Sequence, residues 1–263
     1  MPKQRIDKIL AHEGFGSRKE IKKLLHRCEV LLNGKRITDA SCLIDDQNDI
    51  LSIDGEQISL HKNIYLMMNK ITDTVSTNKD GEHQTVFDLL GEEFKTPYLQ
   101  SHLHLIGRLD IDTEGLLVFT TDGTLTHRLI SPKSHVDKSY FCVLEKKESE
   151  EHKKQIEQQF LEGLEVSPEG KELGFKCESA KVEWIEDEEK IQFYLQNGTF
   201  SNSVKQAAIL TIHEGKYHQV KRMFSEVQNK VVYLKRISIG ALKLDFSIPA
   251  GKYKLISPEE LIF

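Results

Sequence analysis

Seven short strand-like apolar runs crowd the chain beyond residue 63. This density of strands constrains the fold more than any other feature. The runs are YLMMN (65–69), HLHLIG (102–107), LLVFTT (116–121), YFCVLE (140–145), AKVEWI (180–185), KIQFYLQ (190–196) and AAILTI (207–212). Only four helical patterns interleave: TVFDLL (85–90), DGTLTHRLI (122–130), SEEHKKQIEQQFLEGL (149–164) and KYHQVKRMFSEVQ (216–228). Asp122 is a natural N-cap for the second of them. Parallel pairing needs a crossover connection, usually helical, for each strand, and this chain has too few helices for that. The pattern predicts an α+β fold with a large, mostly antiparallel sheet. Apolar runs of about four to six residues fall far short of the roughly 20 needed to span a bilayer, so no membrane partner is expected.

The first 60 residues read differently. QRIDKILAHE (4–13) places Ile6, Ile9 and Leu10 on one helical face. Ser17 and Glu20 form a capping box for a second helix, which turns Ile21, Leu24 and Leu25 inward and Arg18, Lys19, Lys22 and Lys23 outward. Asn33-Gly34 and Asp54-Gly55 are strong hairpin signals. A small ααβ domain over residues 1–60 is predicted, followed by a second domain over 61–263. ISLHKN (58–63) would form the linker.

The net charge of −5 argues against a polyanion partner only as an average. Residues 1–36 carry a net +6 and residues 205–254 a net +7, whereas 145–190 carry −7. Local basic patches are the footprint of nucleic-acid binding, although ordinary solvated faces give the same count. The cysteines at 28, 42, 142 and 177 are too far apart in sequence for a CxxC pair, which predicts reduced thiols in a cytoplasmic protein. The basic N-terminus lacks an apolar signal core. HExxH, Walker and GxGxxG motifs are absent, so neither a metal nor a nucleotide cofactor is expected.

Candidate chemistry is densest in HLIGRLDIDTEGLLVFTTDG, where Arg108, Asp110, Asp112, Glu114 and Asp122 lie between two apolar runs. Residue types alone allow a charged surface hairpin, a metal pair at Asp110 and Asp112, or a nucleophilic carboxylate kept ionised by Arg108. A second cluster, EGKYHQVKRMF (214–224), brings Lys, His, Tyr and Arg to the start of a helix, a favourable surface for phosphate. Its apolar members, Val220, Met223 and Phe224, fit a core face equally well. In a third, PKSHVDKSY (132–140), Tyr140 opens an apolar strand and fits a core aromatic; so does Trp184.

GRLDIDTEGLLVFTTDG, HRLISPKSHVDKSY, EGKYHQVKRMF and LKRISIG, taken in order, resemble the ribosomal small subunit pseudouridine synthase A family. QRIDKILAHEGFGSRKEIKKLL resembles an S4 RNA-binding domain. The resemblance implies Asp110 as the catalytic aspartate, Tyr140 as the ring against the target base and Lys221 as the partner of the aspartate. It implies supporting or RNA-binding roles for Arg108, Arg222, Asn69 and Lys70, with Arg18, Lys19, Lys22 and Lys23 as the S4 contact face. Asp112 and Glu114 become structural. The family's Lys-Pro-x-Gly turn is here Lys70-Ile71-Thr72-Asp73. The implied reaction isomerises one uridine of 16S rRNA (uridine 516 by resemblance) in a flipped-base geometry. No cofactor is needed, and the enzyme is expected to be a monomer whose partner is ribosomal RNA. A large-subunit enzyme of the same family, a non-catalytic assembly factor and a metal-dependent hydrolase remain the alternatives.

Overall fold

The computed structural model describes residues 3–13, 15–45, 49–58, 63–131, 134–196, 198–200 and 202–261. The expected junction at 60/61 and the start of the third cluster, at 132–133, lie outside these residues. Contacts divide the chain into two compact units, Met1–Asn63 and Ile64–Phe263.

In the first unit, helices α1 (Ile6–His12) and α2 (Arg18–Arg27) pack on a four-stranded antiparallel sheet. The Ser17–Glu20 capping box forms as expected. Both hairpin turns take left-handed backbone, with φ of 50° and 77° at Asn33 and Gly34, and 50° and 87° at Asp54 and Gly55. Such angles suit the type I′ turns that match strand twist. Ile6, Leu10, Ile21, Leu25, Val30 and Leu51 are fully enclosed and form the core.

In the second unit the main sheet runs Lys181–Ile185, Gln206–Ile212, Lys138–Leu144, Val231–Ile239, Glu114–Thr120, Tyr65–Lys70 and Tyr253–Leu255 in spatial order. Every neighbouring pair in this series is antiparallel except Glu114–Thr120 with Val231–Ile239. That one parallel pair needs Gly115, whose φ is 98° and whose Cβ would meet the Arg236 carbonyl oxygen at 2.3 Å. Side chains alternate: Leu66 and Met68 join one core cluster, Tyr65 and Met67 another. Both faces of these strands are therefore covered, which is why they read as unbroken apolar runs.

Helices α3 (Pro97–His102), α4 (Gly123–Ile130), α5 (Glu150–Glu162), α6 (Glu188–Leu195) and α7 (Gln219–Glu226) complete the unit. Four expectations need correction. KIQFYLQ is α6 rather than a strand, because Asp187 caps it and Ile191, Tyr194 and Leu195 bury at helical spacing. TVFDLL is a turn, closed by the Asp88 carboxylate on the Thr85 amide and hydroxyl. HLHLIG contributes only His104–Leu105, after the unforeseen α3, which starts with Thr96 as N-cap and Pro97. The nine-residue strand Val231–Ile239, in the middle of the sheet, was not predicted at all. Its central Lys235 and Arg236 break the apolar pattern yet are buried, bonded to the carbonyls of Gln196 and Leu116.

Asp122 caps α4 as expected, accepting from the Thr124 and Leu125 amides. All four cysteines are free thiols. Trp184 is half-buried against the main core cluster. Among the described residues no helix is long and apolar enough to cross a membrane.

Asp245 ties the turn before the last sheet strand to that strand, accepting from Lys254 at 2.6 Å and from the Ser247 amide and hydroxyl. These bonds, the Lys254 one foremost, pull its carboxyl pKa down from 3.8 to about 2. A carboxyl depressed on folding adds stability that is full above its unfolded value and is lost as pH falls through the folded one. Asp245→Asn is expected to cost about 1 kcal/mol at pH 7, discounted for solvent exposure, with the cost fading towards pH 2. Urea titrations at several pH values check this; a pH-independent cost would show that the ion pair is not the source.

Candidate active site

The loop between His104–Leu105 and Glu114–Thr120 carries Asp110 to the floor of a cleft of about 890 Å³. Three fasteners from the Tyr65–Lys70 strand and the segment after it set its shape. Lys70 is fully buried, and its ammonium donates to the carbonyls of Ile71, Asp110, Ile111 and Thr113 at 2.9–3.3 Å. The Ser76 hydroxyl donates to the Leu109 carbonyl at 2.8 Å and accepts from the Leu109 amide at 3.1 Å. The Asp73 amide reaches the Ile111 carbonyl at 2.9 Å. Asp73 has φ of 60°, so it adopts the left-handed turn at the position where the resembled family has glycine. Asp is one of the few other residues that adopt this conformation.

Opposite this loop, α7 projects Lys221 between two carboxylates. Its Nζ donates to Asp110 Oδ2 at 2.9 Å and to Asp112 Oδ1 at 2.5 Å. Burial works against the Lys221 ammonium, but the bonds to Asp112 and Asp110 outweigh it and raise its pKa above the ordinary lysine value. Arg108 is an exposed residue lining the same cleft as Asp110, but it forms no ion pair among the described residues, so the residue-based expectation that Arg108 holds this carboxylate is corrected. Tyr140 lines the same cleft, almost fully buried, from the Lys138–Leu144 strand.

Three residues expected to bind RNA are buried instead. Arg222 is buried, and its guanidinium donates to the carbonyls of Ser167, Leu173 and Tyr217 over the Phe175 ring. It braces the 167–175 segment against α7. Asn69 is buried and bonds the Ile248 carbonyl, while Lys70 is consumed by the loop cage. Burial lowers the Lys70 pKa to about 8 against the pull of Asp112, Asp110, Glu114 and Asp73. Glu114 is likewise enclosed, accepting from the Tyr233 hydroxyl at 2.6 Å and the Thr199 amide at 2.9 Å. Arg18, Lys19, Lys22 and Lys23 are exposed on α2, opposite the buried Ile21 and Leu25.

Sequence reasoning missed Ser76 and placed His218 only in a phosphate-facing surface, not beside Asp110. Nothing in NKITDTVSTN distinguishes Ser76, whereas His218 stands inside the EGKYHQVKRMF cluster. Its Nε2 lies 3.8 Å from Asp110 Oδ2. Among the described residues no group of His, Cys, Asp and Glu is arranged to hold a metal.

The fold and the site define a class: an enzyme domain built on a large mixed sheet, with a lysine-paired carboxylate in an open cleft, joined to a small module that carries one basic helix face. The sequence pattern of RNA pseudouridylate synthases matches residues 64–226 and that of the S4 domain matches residues 4–50. The chain belongs to the RNA pseudouridylate synthase family. An uncharacterized RNA pseudouridine synthase of Bacillus subtilis is 40% identical to it, over 98% of this chain and 96% of the relative. Ribosomal small subunit pseudouridine synthase A of Vibrio cholerae is 35% identical, over 98% of this chain and 97% of the relative. The crystal structure of a pseudouridylate synthase superposes with a TM-score of 0.60 at 32% identity, covering 98% of both chains.

Proposed function

We propose that this enzyme isomerises a single uridine of small-subunit ribosomal RNA, with Asp110 as the reacting carboxylate. The observation that carries the reading is the Lys221–Asp110 pair, 2.9 Å apart on the floor of a cleft that Tyr140 also lines. The ammonium aims the carboxylate, while the cleft leaves it open to substrate. The reaction breaks the C1′–N1 bond of the uridine, turns the uracil and joins C5 to C1′. The C5 proton is lost and N1 gains one, so atoms and electrons balance without a redox partner. Tyr140 offers its ring to the uracil once the base has left the RNA stack. The relatives named for the ribosomal small subunit, at 32–35% identity over nearly the whole chain, support that RNA as the substrate. A cytoplasmic monomer fits this role.

The exposed face of α2 is the proposed grip on phosphates and stem shape. Its covalent link to the catalytic unit raises the local concentration of RNA. The test is site mapping on small- and large-subunit rRNA, with and without ribosomal proteins, by carbodiimide labelling and primer extension. One new stop in the small-subunit RNA, at the counterpart of uridine 516, is expected. A stop only in large-subunit RNA overturns the substrate, and tight binding without any stop overturns the catalysis. Reversing the charges at Arg18, Lys19, Lys22 and Lys23 is expected to raise KM at least about tenfold and to flatten the salt dependence of binding. An unchanged salt slope would remove α2 from the interface.

A further inference from the structure

The Tyr217 ring lies nearly flat on His218, with centroids 3.7 Å apart and planes at 24°. Tyr217 nevertheless stays 51% exposed, so the face away from His218 is open. Among the described residues, Tyr217 and Ile130 are the exposed large apolar side chains that line the cleft.

The platform is held rigid from behind. Arg222 Nη1 donates to the Tyr217 carbonyl at 3.4 Å. Lys216 Nζ donates to the Lys176 carbonyl at 2.7 Å, and the Lys216 amide to Gln219 Oε1 at 3.1 Å. His218 takes left-handed backbone, φ 49°, to enter α7, and its ring stands between Asp110 Oδ2 at 3.8 Å and Glu169 Oε2 at 3.7 Å. The ring under Tyr217 thereby lies beside the carboxylate proposed to react.

Tyr140 is buried on the floor and can meet only a base brought inside. A uridine that leaves its stack exposes a face of each neighbouring base, and an open aromatic ring at the rim can cover one of them. We propose that Tyr217, backed by His218, forms a second stacking subsite for the base of a nucleotide directly flanking the target uridine. This rests on the reading that a uridine is flipped into the cleft.

The test uses the full chain and a synthetic rRNA fragment spanning the mapped uridine, intact or with an abasic residue at either neighbour. Tyr217→Ala is expected to raise KM roughly 5- to 150-fold, the loss of one base–aromatic stack, with a smaller change in kcat. Tyr217→Phe, which keeps the ring, restores KM. The abasic change at one neighbour should cost the wild-type chain a similar factor and cost Tyr217→Ala nothing further. An active wild-type chain with unchanged KM in Tyr217→Ala overturns the subsite alone, as do fully additive losses at both neighbours. A wild-type chain that forms no product overturns the synthase reading and the subsite with it.

Discussion

Asp110→Asn is expected to abolish pseudouridine formation, lowering the single-turnover rate on the order of 10⁴-fold or more, with RNA affinity within a few-fold of the wild type. Asparagine matches aspartate in shape, and Lys221 keeps its bond to Asp112. The loop that holds residue 110 is fastened by Lys70, Ser76 and Asp73 through backbone groups, none of which the change removes. Only the reacting charge is lost. Single-turnover primer-extension assays alongside filter binding separate the two effects. Activity near the wild-type level in Asp110→Asn would end the proposal that this carboxylate reacts. Loss of binding in step with activity would make Asp110 a binding residue instead.

The second large effect is expected at a residue that touches no substrate. Lys70→Met should destabilise the catalytic unit by about 3 kcal/mol, because it leaves four inward-facing carbonyls without their shared donor. For a unit of this size that is a drop in Tm of roughly 6–12 °C. Below the new transition the folded variant should still be impaired, since the Asp110 and Ile111 carbonyls no longer have an anchor and the loop loses its aim at Lys221. Calorimetry, with activity measured well below Tm, checks both parts. Lys70→Arg should not rescue, because a planar guanidinium cannot occupy the compact site of an ammonium that faces four oxygens. An unchanged Tm in Lys70→Met would show that the cage contributes nothing to stability.

Lys70 also shows where reading the sequence stops. Two lysines, Lys70 and Lys221, lie close to the same loop, and both were expected to serve function. One is enclosed by carbonyls and the other by carboxylates, and only Lys221 donates to the Asp110 side chain. The basic count over residues 205–254 misleads for the same reason: Arg222, Lys235 and Arg236 contribute to it but are buried. Such cations read as surface in any linear scan, and in Lys235–Arg236 they hid the strand in the middle of the sheet. The helix at Glu188–Leu195 was missed in the opposite way, because its apolar residues come close enough together to imitate a strand.

The sequence by itself determined what depends on neighbouring residues. The capping box at Ser17 and Glu20, both left-handed hairpin turns, the Asp122 cap and most of the apolar strands were legible because a few adjacent side chains and backbone angles decide them. The motif around Asp110 was legible too, as a family resemblance. The partner of Asp110 was not derivable from local chemistry, which favoured Arg108, two residues away. The family resemblance named Lys221, and the tertiary structure brings it to Asp110 across 111 positions. The tertiary structure alone decided that Arg222 and Lys70 brace the site from behind. The reason is physical: the field and the hydrogen-bond acceptors around a buried cation come from strands and loops far apart in the chain, and only packing determines which of them meet.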